Sequence, residues 1–216
     1  GNNNIIGGTA SGTRNIISGN LGAGISIIAG INNTIQGNFI GTDVTGAVDL
    51  GNGGDGVNLD TTSGNMIGGT TATTRNVISG NGGNGVTIGN AANNTVQGNF
   101  IGTTFSGSGM LGNDNQGVRF QSSSNNTLGG TAAGAGNTIA FNGALGIFAP
   151  NGVGNAILGN SIFENTGMGI NFSDDFVTPN DPMDTDSGPN NLQNFPDPIS
   201  VSGSVLTATF NSTPNT

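Results

Sequence analysis

The segment Asn33-Thr-Ile-Gln-Gly-Asn-Phe-Ile-Gly-Thr42 returns as Asn94-Thr-Val-Gln-Gly-Asn-Phe-Ile-Gly-Thr103, an offset of 61 residues (94 minus 33). The same offset carries Asn4-Ile-Ile-Gly-Gly-Thr9 to Asn65-Met-Ile-Gly-Gly-Thr70, and then to Asn126-Thr-Leu-Gly-Gly-Thr131. It also carries Arg14-Asn-Ile-Ile-Ser-Gly-Asn20 to Arg75-Asn-Val-Ile-Ser-Gly-Asn81. Repetition at a fixed period marks a stacked-repeat architecture. A finer signal, Gly-apolar-x-apolar, stands at Gly24, Gly56, Gly85, Gly117, Gly146 and Gly169, in steps of 32, 29, 32, 29 and 23. The 23-residue step is the bare unit. It holds three short β-like runs, beginning at Gly146, Asn155 and Asn160. The 32-residue units add nine residues after the third run, and the 29-residue units add six between the second and third.

Each run is too short for a helix and is bounded by Gly and Asn, which are turn formers. Three short strands per unit predict an all-β parallel solenoid whose coils stack about 4.8 Å apart. Positions alternate along the first strand. Ile25/Ile27, Val57/Leu59, Val86/Ile88 and Val118/Phe120 point inward, and Ser26, Asn58, Thr87, Arg119 and Phe148 point outward. Asn33, Asn65, Asn94, Asn126 and Asn155 share one corner, and Asn38, Asn76, Asn99, Asn137 and Asn160 share another. Stacked carboxamides at such corners can hydrogen-bond from coil to coil as ladders.

Composition narrows the chemistry. Gly is 42 of 216 residues, charged residues are 7%, and the net charge is −9 with three basic residues, all Arg. That balance excludes a duplex nucleic-acid binder, which needs Lys and Arg for phosphates. There is no His, Cys, Tyr, Trp or Lys, so Ser–His–Asp, Cys–His and Schiff-base chemistry and Cys/His zinc sites have no residues to use. No apolar run is long enough to span a membrane.

The units Gly-Val-x-Ile…Asn-Asn-Thr-Val-x-Gly-Asn-Phe-Ile-Gly-Thr resemble the right-handed parallel β-helix repeats of large secreted bacterial surface proteins, which share the pectate-lyase-like fold. The resemblance covers residues 1–172. It implies a right-handed parallel β-helix of about six coils, consistent with the right-handed preference of parallel crossovers. It also implies an extracellular or cell-surface location. Function remains open, because similar repeats occur in lyases, hydrolases and non-enzymatic adhesins.

The expected organisation is a β-helix over 1–173, an acidic Pro-rich cap or linker over 174–198, and a β-hairpin over 199–216 that could begin a β-sandwich module. Six of the seven Pro and six of the twelve acids follow residue 173. The alternating stretch 199–210 with its Gly203-Ser204 turn reads as the hairpin.

Two functional classes compete. One is a non-enzymatic stalk or adhesive surface, with the alternative of a fibre subunit joined through open solenoid ends or a chain continuing beyond them. The other is a polysaccharide or cell-surface glycan binder, or a lyase or hydrolase. The catalytic candidates are then Asp55, Asp60, Asp114 and Arg119, on or beside the first strand. Two coils separate Asp55 from Asp114, roughly 9.6 Å of stacking, at the upper limit of the separation of paired carboxylates in glycoside hydrolysis. The nine-residue inserts are expected to wall a groove over that face. Arg119 is the candidate contact for an anionic sugar, and Phe148 for stacking on a ring. Arg14 and Arg75 recur at one coil position and are expected to bind backbone carbonyls. One metal-like cluster, Asp181, Asp184, Asp186 and Asn190, alternates oxygen ligands with spacers. It reads as an acidic linker with no cofactor, the alternative being a calcium site.

Overall fold

The computed structural model describes residues 1–172 and the backbone of the strands Asp197–Ser202 and Val205–Thr209. Three parallel six-stranded sheets run the length of the repeat region and form a parallel β-helix of six coils. The second-strand sheet contains β1 (Ile5–Gly7), β4 (Thr34–Gln36), β7 (Met66–Gly68), β10 (Thr95–Gln97), β13 (Thr127–Gly129) and β16 (Ala156–Leu158). The third-strand sheet contains β2 (Ile16–Ile17), β5 (Phe39–Ile40), β8 (Val77–Ile78), β11 (Phe100–Ile101), β14 (Thr138–Ala140) and β17 (Ser161–Phe163). The first-strand sheet contains β3 (Ile25–Ile28), β6 (Val57–Asp60), β9 (Val86–Gly89), β12 (Val118–Gln121), β15 (Ile147–Phe148) and β18 (Ile170–Asn171). The chain enters on the second strand, as the 61-residue offset requires. No helix among the described residues is long and apolar enough to cross a membrane.

The core is a triangular stack of aliphatic rungs. Ile35, Ile67, Val96 and Leu128 come from the second-strand sheet, and Ile40, Ile78, Ile101 and Ile139 from the third. Val57/Leu59, Val86/Ile88 and Val118/Phe120 come from the first, and all of these are fully buried. Each such side chain contributes about 1.5–3 kcal/mol on leaving water. β-Branched residues predominate because they suit the pleated surface.

Carboxamides hold the corners. In the interior of each ladder, one Asn Oδ1 accepts both the backbone N–H and the Nδ2–H of the Asn one coil earlier. Asn38 N and Nδ2 reach Asn76 Oδ1 at 2.9 and 3.1 Å, and Asn76 Nδ2 then donates to Asn99 Oδ1 at 2.9 Å. The second Nδ2 hydrogen goes to a backbone carbonyl of the preceding coil, as from Asn76 to Ile35 at 2.9 Å. Both donors and both lone pairs of the amide are used. Asp would offer no donor and would bring like charges about 4.8 Å apart. Gln would be one methylene too long.

The ladders number three, not two. Asn20, Asn52, Asn81, Asn113, Asn142 and Asn165 form a third series, before the first strand, with the same geometry. Their spacings are the glycine spacings, 32, 29, 32, 29 and 23.

The column Gly24, Gly56, Gly85, Gly117 and Gly146 packs against this third ladder. A Cβ on any of them would fall within 3.0 Å of a third-strand Ile, a ladder Asn and the next glycine carbonyl. These glycines are needed for space rather than for a positive φ. The positive φ belongs to the turn before the second strand, where Asn3, Asn32, Asn93 and Asn125 lie at 56–58°. The Asn-Asn doublets thus divide their work: the first residue makes the left-handed turn and the second joins the ladder.

The strands β19 (Asp197–Ser202) and β20 (Val205–Thr209) form an antiparallel pair, with a register shift between Pro198 and Ser200. The remainder of the 174–198 segment, with Asp181, Asp184, Asp186 and Asn190, lies outside the described residues.

Ladder position sets the expected cost of losing a carboxamide. Asn76→Ala strands the buried N–H groups of Asn38 and should lower unfolding free energy by about 2–4 kcal/mol. Asn15→Ala removes one exposed terminal donor to Asn38 and should cost under about 1 kcal/mol. Urea unfolding of the two variants checks the difference.

Candidate functional site

The outer face of the first-strand sheet gathers the candidate residues in two columns. Strand register aligns Ser26, Asn58, Thr87, Arg119, Phe148 and Asn171 in one column, and Ile28, Asp60, Gly89 and Gln121 in the next. Asp60 therefore lies two rungs before Arg119 and one column over. Asp55 sits at the bend before β6, and Asp114 at the corresponding approach to β12, two coils on.

Two of the three acids hold neighbouring coils. Asp55 Oδ1 accepts from Asn84 N at 2.7 Å and from Asn84 Nδ2 at 3.2 Å. Asn84 also donates to Thr87 and accepts from Gln116 N, so Asp55 opens a short polar chain across three coils. Asp60 Oδ1 accepts from Asn90 Nδ2 at 3.1 Å and from the Thr61 hydroxyl at 3.3 Å. Asp114 is exposed, and its carboxylate makes no hydrogen bond among the described residues. Among the same residues no group of three or more His, Cys, Asp or Glu could hold a metal ion.

Arg119 differs from the other two arginines. Its Nε is buried without a hydrogen-bond partner, and its Cζ lies 5.9 Å from the centre of the Phe148 ring one rung on. A buried unpaired donor is costly, so this guanidinium is less completely satisfied by the protein than the other two. Arg14 and Arg75 have the carbonyl-binding role expected of them. Their Nε atoms donate to Gly37 O at 3.2 Å and Gly98 O at 2.9 Å. Each guanidinium lies over an outward ring, Arg14 over Phe39 at 4.0 Å and Arg75 over Phe100 at 4.1 Å. Burial lowers the pKa of Arg75.

The nine-residue inserts do not wall the first-strand face. Each forms a small excursion closed by an antiparallel bridge, Thr42 with Asp49 and Thr103 with Met110. Their tips fold over the third-strand sheet. A Cβ on Gly46 would meet the Phe39 and Phe105 side chains, and one on Gly107 would meet the Phe100 ring. The Phe39 and Phe105 rings pack 5.3 Å apart, and Phe105 N donates to Gly46 O at 2.8 Å. Apolar cover for outward phenylalanines decides the direction of the fold-over, and insert length alone does not reveal it.

The first insert is tied by Asp43, a residue without a special role in the sequence reading. Desolvation alone would raise the pKa of this carboxyl. Hydrogen bonds from the Thr45 hydroxyl and from the Val48 and Ala47 amides outweigh it and lower the pKa from its ordinary 3.8 to about 2.

No family model matches the sequence, and neither the curated proteins nor the solved structures give a match.

Because the folded pKa of Asp43 is depressed, its contribution to the insert is complete above pH 3.8 and fades as pH falls through about 2. A carboxyl-carbon NMR titration should place the midpoint near 2, with the Ala47 and Val48 amides moving in step. A midpoint at 3.8 with those amides unmoved would contradict the assignment.

Proposed function

We propose that this chain is a non-enzymatic β-helix segment of a large secreted or cell-surface bacterial protein, serving as a stiff spacer or adhesive surface. The observation that carries this reading is the use of the polar side chains. Three carboxamide ladders run through all six coils. The acids nearest the first-strand face are also engaged, Asp55 and Asp60 accepting hydrogen bonds from the following coil. A scaffold needs continuity along its axis, and here most of the polar chemistry supplies it. The repeat resemblance to secreted β-helix proteins supports the location.

A second reading is favoured by one specific feature. The Arg119 guanidinium beside Phe148, whose Nη groups make no hydrogen bond among the described residues, suits an acidic saccharide lying along the outer column of the first-strand sheet. A guanidinium fork pairs with a carboxylate, and an aromatic face stacks on a sugar ring. This makes the segment a glycan adhesin without making it an enzyme.

A polysaccharide screen with calcium present tests both readings. New reducing ends and unsaturated products should be absent across neutral and acidic substrates. Their appearance would overturn the non-enzymatic reading. Retention on acidic polysaccharides that is lost in Arg119→Gln would support the adhesive form.

A further inference from the structure

The loops that carry the six-residue inserts, spanning residues 8–14, 69–75 and 130–136, project from the same corner on alternate coils. The coils between them pass that corner through single glycines, Gly37 and Gly98. Two slots result, with different walls. Over Gly98 the loops touch: Gly134, at φ 79°, lies so close to Thr70 that a Cβ there would strike the Thr70 carbonyl. The residue equivalent to Gly134 one double-coil earlier is Thr73, which carries a Cβ and lacks a positive φ. Loop 69–75 therefore cannot settle onto Thr9 in the same way. The slot over Gly37 stays open as a cavity of about 380 Å³, lined by Gly8 to Gly12, Arg14, Gly37 and Thr73.

Arg14 is fixed at the edge of this cavity. Its Nε is held by Gly37 O and its plane by Phe39, with Phe105 5.5 Å away. Its Nη groups make no hydrogen bond or ion pair among the described residues. The hydroxyls of Thr9 and Ser11 likewise make no hydrogen bond among them. A guanidinium held in place with its outer edge uncommitted matches an oxyanion in a two-point contact. The volume is at the small end of ligand pockets and suits a monosaccharide.

We propose that the slot over Gly37 binds a monosaccharide-sized organic anion, its carboxylate or sulfate group on the Nη edge of Arg14 and its hydroxyls against Thr9, Ser11 and Thr73. The site is separate from the first-strand face and does not rest on the scaffold reading. The chain's net charge of −9 opposes anions at long range, so binding rests on these short-range contacts.

The test is an NMR titration of the 15N-labelled chain at 0.15 M salt with glucuronate, glucose 6-sulfate, glucose and inorganic sulfate. The two acid sugars should give saturable shifts at Thr9 to Gly12, Gly37, Thr73 and the Arg14 Nε–H, and glucose should give none. Kd should rise at least tenfold in Arg14→Gln and stay unchanged in Arg75→Gln. Thr73→Gly should abolish binding by letting the loop close, while leaving the Arg14–Phe39 stack intact. Three results would overturn the proposal: no saturable shift, shifts equal in Arg14→Gln, or saturation by inorganic sulfate alone.

Discussion

The constraint on which this fold depends is the complete use of the asparagine carboxamide. A corner of a β-helix turns the backbone away from its sheet, and the N–H groups there need acceptors that no strand supplies. A buried Asn provides an oxygen for one coil and two hydrogens for others, so each corner is satisfied by its neighbours along the axis. Asn38, Asn76, Asn99 and Asn137 are all essentially inaccessible to water. A carboxamide left half-paired in that setting would be a liability, so the ladder works only as a continuous series.

Other features follow from that series. The aliphatic rungs must keep strand spacing, because a displaced coil would break three ladders together. The column from Gly24 to Gly146 has no side chain because the ladder Asn, the inward Ile and the next coil occupy the space. The turn before the second strand needs a left-handed residue immediately before a ladder residue, which Asn-Asn or Gly-Asn supplies. Variation is confined to the outside. Inserts at two corners, the outward phenylalanines with their arginines, and the acids can change without touching the series.

Much of the fold was legible in the sequence because the interior repeats. The 61-residue offset, the 23-residue unit and the inward columns all follow from residue types at fixed steps. The third ladder was equally present, in the spacing of Asn20, Asn52, Asn81 and Asn113. It was masked by the abundance of Asn beside it, since an Asn next to Gly reads first as a turn. The outer surface was much less legible. Asp55 reads as a catalytic candidate, yet its oxygen serves Asn84 on the next coil, a contact between residues 29 apart. The direction of the inserts depends on which ring they cover, and so on Gly46, Phe39 and Phe105 meeting in three dimensions. Arg14 and Arg75 repeat in sequence, but a single Cβ at Thr73 gives their surroundings different shapes.

The central claim is tested most directly by native-state hydrogen exchange of the asparagine side chains. The Nδ2 protons of Asn38, Asn76, Asn99 and Asn137 should be protected to the level of the backbone amides of Ile78 and Ile101. The carboxamide of the exposed Gln121 should exchange freely. Ladder carboxamides that exchange as fast as Gln121, within an intact β-helix, would contradict the account.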